Sequence, residues 1–162
     1  MKQYHKITHE FDPVFNTSSE ILILGSFPSV KSREQQFYYG YERNRFWAIL
    51  SSLFYEPLPS SIAEKKVLLL KHHIALWDVI WQCDIEGSSD SSISNVVPNN
   101  LSVILDAAPI KQIYGNGAKA YELYYRYQYP STKREMIKLP STSPANAAWT
   151  FPKLLHAWNT IV

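Results

Sequence analysis

The chain has 162 residues, a formal net charge of +2, 46% apolar and 19% charged residues, which suits one globular domain and excludes a disordered, collagenous or repeat protein. Its apolar runs are far shorter than the roughly 20 residues that span a bilayer, and the start MKQYHKITHEF lacks the apolar centre of a signal peptide, so a cytoplasmic monomer without membrane contact is expected. The single cysteine, Cys83, rules out an internal disulfide and multi-cysteine metal centres, and the adjacent His72 and His73 diverge by about 100° on a helix, so neither metal nor cofactor is expected.

Ile21-Leu22-Ile23-Leu24, closed by Gly25, reads as a strand buried on both faces of a parallel sheet. From Asn44 onward Phe46, Ile49, Leu50, Leu53 and Phe54 repeat with helical spacing, which makes Asn44 the expected N-cap. Ser61 to Glu64 forms a capping box that opens a helix running to about His72, and Ile74 to Ile80 follows as a second strand. Cys83 to Pro98 is polar and serine-rich and is expected to be a loop, leading to a helix from about Asn100 to Ala107. Ile110 to Tyr114 gives a third strand, Gly115-Asn116-Gly117 turns into a helix carrying Tyr121, Tyr124 and Tyr125, and Glu135 to Leu139 gives a fourth. After a loop from Ser141 to Ala148, Phe151, Leu154, Leu155 and Trp158 mark a last amphipathic helix.

This alternation predicts an α/β protein, a three-layer α/β/α sandwich around a central four-stranded parallel sheet. Ligands of such sheets sit beyond the carboxyl ends of the strands, which directs attention to Gly25–Arg43, Gln82–Pro98, Gly115–Gly117 and Pro140–Ala148. The first of these is unusual: between Gly25 and Trp47, Lys31, Arg33, Arg43 and Arg45 are interleaved with Phe27, Phe37, Tyr38, Tyr39, Tyr41, Phe46 and Trp47. Cations among rings fit a surface that follows a phosphate backbone and stacks on bases; solvated cations beside core rings fit the same composition.

Gly25-Ser26-Phe27-Pro28-Ser29, Phe37-Tyr38-Tyr39-Gly40 with Arg43-Asn44-Arg45-Phe46-Trp47, and Leu139-Pro140-Ser141-Thr142-Ser143-Pro144-Ala145-Asn146 resemble, in order, the motifs of the uracil-DNA glycosylase superfamily. Ile74 to Ile80 and Ile85 to Ile93 resemble its hypoxanthine-DNA glycosylase branch. Phe27 stands where the mismatch-specific branches carry a water-positioning Asn, and Tyr41-Glu42 stands where relatives often have His-Pro. The resemblance implies a monofunctional glycosylase that flips deoxyinosine out of DNA and hydrolyses its N-glycosidic bond, with uracil as a further candidate base. Asn44 would be its catalytic residue, and Gly25, Ser26, Phe27, Pro28, Tyr39 and Asn116 its base pocket. Lys31, Arg43, Arg45 and Ser141, Thr142, Ser143, Pro144, Ala145 and Asn146 would contact DNA. Phe27 and Tyr39 both stand as candidate stacking rings, and Asp78, Glu86 and Asp90 as carboxylates able to orient water. A uracil or mismatch glycosylase, or a catalytically weak nucleic-acid-binding module, are the alternative readings.

Overall fold

The computed structural model describes residues 5–162. Residues 1–4, the beginning of the segment read above for a signal peptide, lie outside the described residues.

The apolar run Ile21–Gly25 forms β2, at the middle of the molecule. It pairs in parallel with β3 (Ile74–Asp78) on one side and β6 (Gln112–Asn116) on the other, and β6 pairs in parallel with β7 (Met136–Leu139). The order β3-β2-β6-β7 means that the chain leaves β2 in one direction and returns past it to continue in the other. Right-handed crossovers then place the helices of the two halves on opposite faces. The expected three-layer architecture is present: α2 (Phe46–Leu53) and α3 (Ile62–Lys71) lie on the β2-to-β3 crossover, and α5 (Ala118–Tyr127) on that from β6 to β7. With helices on both sides, Leu22, Ile23, Leu24 and all of β3 are buried, which explains why these strands read as unbroken apolar runs. The last helix, α7 (Phe151–Trp158), closes over α2, with the Trp158 ring edge-on to Phe46 at 5.9 Å between centroids.

Three expectations need correction. The strand expected to reach Ile80 ends at Asp78, and residues expected to form a loop instead make a second sheet, in which β4 (Ile80–Ile85) pairs antiparallel with β1 (His5–Thr8) and β5 (Ser94–Pro98). The β4–β5 register shifts twice, which breaks the strict period of two that marks a strand in sequence. The helix expected from about Asn100 to Ala107 is only one turn, α4 (Ser102–Leu105). The cap at Ser61 is as expected, with its side chain accepting from the Glu64 N–H. Among the described residues no helix is long and apolar enough to cross a membrane.

Candidate nucleic-acid site

The carboxyl ends of β2, β3, β6 and β7 and the segments that follow them surround one cleft of about 410 Å³, in the range of small-ligand sites. The topology puts it where ligands are expected, beside the point at which strand order reverses. Gly25, Ser26, Phe27, Pro28, Lys31, Tyr39, Asn44 and Asn116 line it, as do Ser141, Thr142, Ser143, Pro144 and Ala145. Arg43, Arg45 and Asn146 do not.

Asn44 is held by a directional set of hydrogen bonds. Its Oδ1 accepts from the Phe46 backbone N–H at 3.0 Å and from the Thr142 hydroxyl at 2.8 Å. Thr142 in turn accepts from Asn116 Nδ2 at 3.0 Å and donates its own backbone N–H to Asn116 Oδ1 at 3.0 Å. Because a backbone N–H can only donate, these contacts fix which end of each amide is oxygen. Among the described residues both side-chain hydrogen bonds of Asn44 fall on its oxygen, so Nδ2 is left without a partner on a residue that lines the cleft. The expected capping bond is made, but one position early: α2 starts at Phe46 and Arg45 occupies the cap position, with no side-chain cap of its own.

Arg45 departs from expectation. Its backbone N–H donates to the Thr142 carbonyl at 3.1 Å, its Nε to the same carbonyl at 3.4 Å, its Nη2 to the carbonyls of Ser143 at 2.8 Å and Asn146 at 3.2 Å, and its Nη1 to that of Trp149. The guanidinium therefore ties down the loop after β7 instead of being offered to a phosphate. Exposed Arg43 has no ion-pair partner among the described residues, while exposed Lys31 lies 3.6 Å from Glu34. The loop itself is braced internally, with Asn146 Nδ2 donating to the Ser141 carbonyl at 3.1 Å. Gly117, at a φ of +97°, brings α5 against Ser141, where a Cβ would lie 3.1 Å from the serine Cβ.

The two candidate stacking rings differ in their surroundings. Tyr39 packs against Phe46 with centroids 4.1 Å apart and sits in the left-handed region at φ 52°, an unusual conformation for a bulky residue and common at functional sites. Its hydroxyl is buried and, among the described residues, makes no hydrogen bond of normal geometry, although the Asn116 side chain lies beside it. Burial pushes the phenol well above its ordinary pKa, with Asp78 adding to the rise and the Asn116 side chain opposing it, so it is a neutral donor. Phe27 lines the cleft, edge-on to His9 at 6.2 Å, with the Arg33 guanidinium carbon 5.7 Å from its centroid.

Of the three carboxylates, Asp78 and Asp90 line the cleft and Glu86 does not. Asp90, at the rim, accepts from the Ser26 hydroxyl at 2.9 Å; the protein around it raises its carboxyl pKa, and that hydrogen bond works against the rise. Asp78 is buried and paired with buried His9, Nε2 to Oδ2, at 2.8 Å. His9 was not anticipated: it follows β1, and its partner is 69 residues away, a distance no local pattern reveals. Among the described residues no cluster of His, Cys, Asp and Glu could hold a metal ion.

A Cβ on Gly25 would lie 2.4 Å from Asp78 Oδ1. The carboxylate cannot swing aside without breaking its bond to His9, so Gly25→Ala is expected to cost roughly 1–3 kcal/mol, as overpacking of a filled interior does. A thermal melt checks this as a fall in Tm.

The architecture and the strand-end cleft define a class of three-layer α/β proteins with a ligand site at the point where strand order reverses, and comparison with known proteins specifies the family. The model of the uracil DNA glycosylase superfamily matches residues 13–161, and the chain belongs to that superfamily. It is 40% identical over 144 residues to a hypoxanthine DNA glycosylase of Methanosarcina acetivorans, covering 86% of this chain and 89% of that one, and 39% identical over 114 residues to a hypoxanthine DNA glycosylase of Methanosarcina barkeri, covering 69% and 72%. The solution NMR structure of a candidate uracil DNA glycosylase from M. acetivorans superimposes with a TM-score of 0.75 at 35% identity, covering 93% of this chain and 96% of that one.

Proposed function

We propose that this protein is a monofunctional DNA glycosylase that excises hypoxanthine from DNA in base excision repair, acting as a monomer. The observation that carries the reading is the orientation of Asn44: two donors on Oδ1 leave its amide N–H groups to the cleft. The relatives named for the same activity support it.

A base stacked in a duplex cannot be reached, so the deoxyinosine is turned out into the cleft, at a cost of a few kcal/mol. Phe27 stacks on it there, worth roughly 1–3 kcal/mol. Pro144 and Ala145, on the loop held by Arg45, fill the gap left in the duplex, while Arg43, Lys31 and the Ser141 and Ser143 hydroxyls meet phosphates. The bond from N9 to the sugar C1′ then breaks with its electron pair going to the base, and positive charge grows on the sugar as in other glycoside cleavages. Asn44 Nδ2 donates to an acceptor of the departing purine, so negative charge develops against a fixed donor that needs no reorganisation. Water adds to C1′ and loses a proton, the purine anion takes one up, and free hypoxanthine and an abasic site are left.

Labelled duplex and single-stranded oligonucleotides carrying deoxyinosine, deoxyuridine or deoxyxanthosine, incubated with the protein and then treated with alkali, test this. Alkali-dependent breaks at deoxyinosine are expected. Breaks before alkali would show lyase chemistry, breaks confined to deoxyuridine would make it a uracil enzyme, and binding without breaks would reduce it to a binding module.

A further inference from the structure

Two polar groups at the floor of the cleft take no part in the step above. Asp78 is the last residue of β3 and only 4% exposed. His9 holds its Oδ2, whereas Oδ1 has no hydrogen-bond partner among the described residues and lies 2.4 Å from the point where a Gly25 Cβ would sit. The Tyr39 hydroxyl lies 3.0 Å from that same point, buried and without a hydrogen-bond partner among the described residues. The absence of a side chain at Gly25 thus allows a free acceptor and a free hydroxyl to stand side by side at the end of β2. The Tyr39 hydroxyl, withdrawn from water without a partner, is costly, and a ligand that accepts from it while donating to the carboxylate beside it removes that cost.

Resting on the glycosylase reading, we infer that Asp78 and Tyr39 are the base-selecting pair, reading the lactam edge, a ring N–H beside a carbonyl, that deamination creates. Hypoxanthine donates N1–H to Asp78 Oδ1 and accepts at O6 from the Tyr39 hydroxyl. Adenine presents a lone pair at N1, which faces the carboxylate lone pairs, and an amino group in place of O6. A site built around buried hydrogen-bonding groups rejects a base that leaves them unpaired. The geometry of a purine agrees: N1 and O6 lie on the edge away from N9, so with that edge on the floor the bond to be cut points toward the mouth, where the loop after β7 lies. His9 is a positioning residue, since its bond to Oδ2 sets the carboxylate plane and leaves Oδ1 for the base. Uracil carries the same edge at N3 and O4, and cytosine does not, so the pair admits either deaminated base and excludes both parents; guanine and thymine share the edge, and their rejection falls to other walls of the cleft that meet the guanine N2 amino group and the thymine methyl. A carboxylate does not favour an anionic leaving group. Asp78 therefore serves selection, while the Tyr39 hydroxyl and the Asn44 amide face the developing charge.

Single-turnover excision of deoxyinosine and of deoxynebularine, a purine with hydrogen at C6 and no N1–H, separates recognition from chemistry. Wild-type protein is expected to prefer deoxyinosine, and Asp78→Asn, which replaces the charged acceptor by an amide, to lower that preference by about 10- to 100-fold, the worth of a hydrogen bond to a charged group. Tyr39→Phe is expected to lower it by roughly 3- to 10-fold, as a neutral hydrogen bond does. If both variants keep the circular dichroism of the wild type and also its preference within about twofold, the inference is overturned; if Asp78→Asn does not fold, the Tyr39→Phe ratio decides alone. No excision of deoxyinosine by the wild-type protein would overturn the proposed function, and this inference with it, whereas wild-type excision with unchanged ratios overturns only the inference.

Discussion

Replacement of Asn44 by Asp is expected to lower single-turnover excision of deoxyinosine by roughly 10²–10³, the cost of removing one preorganised donor from a site of developing negative charge, while leaving the melting temperature close to that of the wild type. Asparagine here has two duties that chemistry can separate. As an acceptor it holds the first turn of α2, through the Phe46 N–H, and the loop after β7, through the Thr142 hydroxyl. As a donor it faces the cleft. Aspartate keeps both acceptor bonds, so the cap, worth about 0.5–2 kcal/mol, survives. It puts a carboxylate oxygen where the amide N–H2 was, against the departing base. Asn44→Ala loses the cap as well and is expected to be less stable and equally slow. A folded Asn44→Asp protein that excises at the wild-type rate would confine Asn44 to its capping role.

The parts of this molecule that could be read in sequence are those whose physics is local. Ile21–Leu24 and Ile74–Trp77 form strands buried on both faces, so burial itself produced the apolar runs that announce them. Asp78 was harder to place because it ends such a run, and neither its burial nor its bond to His9 has a local signature. The β4–β5 hairpin was hidden by its register shifts and by the serines between Gly87 and Ser94, which look like loop. Asn44 carried a cap signature that was legible, but the Thr142 hydroxyl that fixes its amide comes from 98 residues away. Tyr39 was legible as a ring and not as a hydroxyl, because only folding brings it over Gly25. What sequence patterns leave out is which donor meets which acceptor across the fold, and in this cleft that pairing sets the chemistry.

Arg45 gives the other large expected effect. A cation among aromatic rings suggests a phosphate contact, yet its donors reach the carbonyls of Thr142, Ser143, Asn146 and Trp149. Arg45→Ala removes the guanidinium donors; the carbonyls of Thr142, Ser143 and Asn146 keep backbone N–H partners, from residue 45, Asn146 and Trp149, and only that of Trp149 is left without one among the described residues. The protein is therefore expected to be destabilised by roughly 1.5–3 kcal/mol, the worth of a hydrogen bond to a charged group, because such bonds do not add. Arg45→Lys recovers little, since an ammonium lacks the planar fork that reaches several carbonyls together. The loss extends to Asn44: once the loop lifts, the Thr142 hydroxyl leaves Oδ1 and the amide can turn, so excision is expected to fall at least tenfold even at saturating DNA. The salt dependence of DNA binding discriminates this role from phosphate contact. Each phosphate contact contributes about one to the slope of log K against log salt, so Arg43→Ala is expected to reduce the slope by about one with little change in excision at saturation, and Arg45→Ala to leave the slope unchanged while protease cleavage within residues 141–149 accelerates. A slope reduced by Arg45→Ala, with the loop still protected, would return Arg45 to the phosphate-binding surface and make loop docking independent of it.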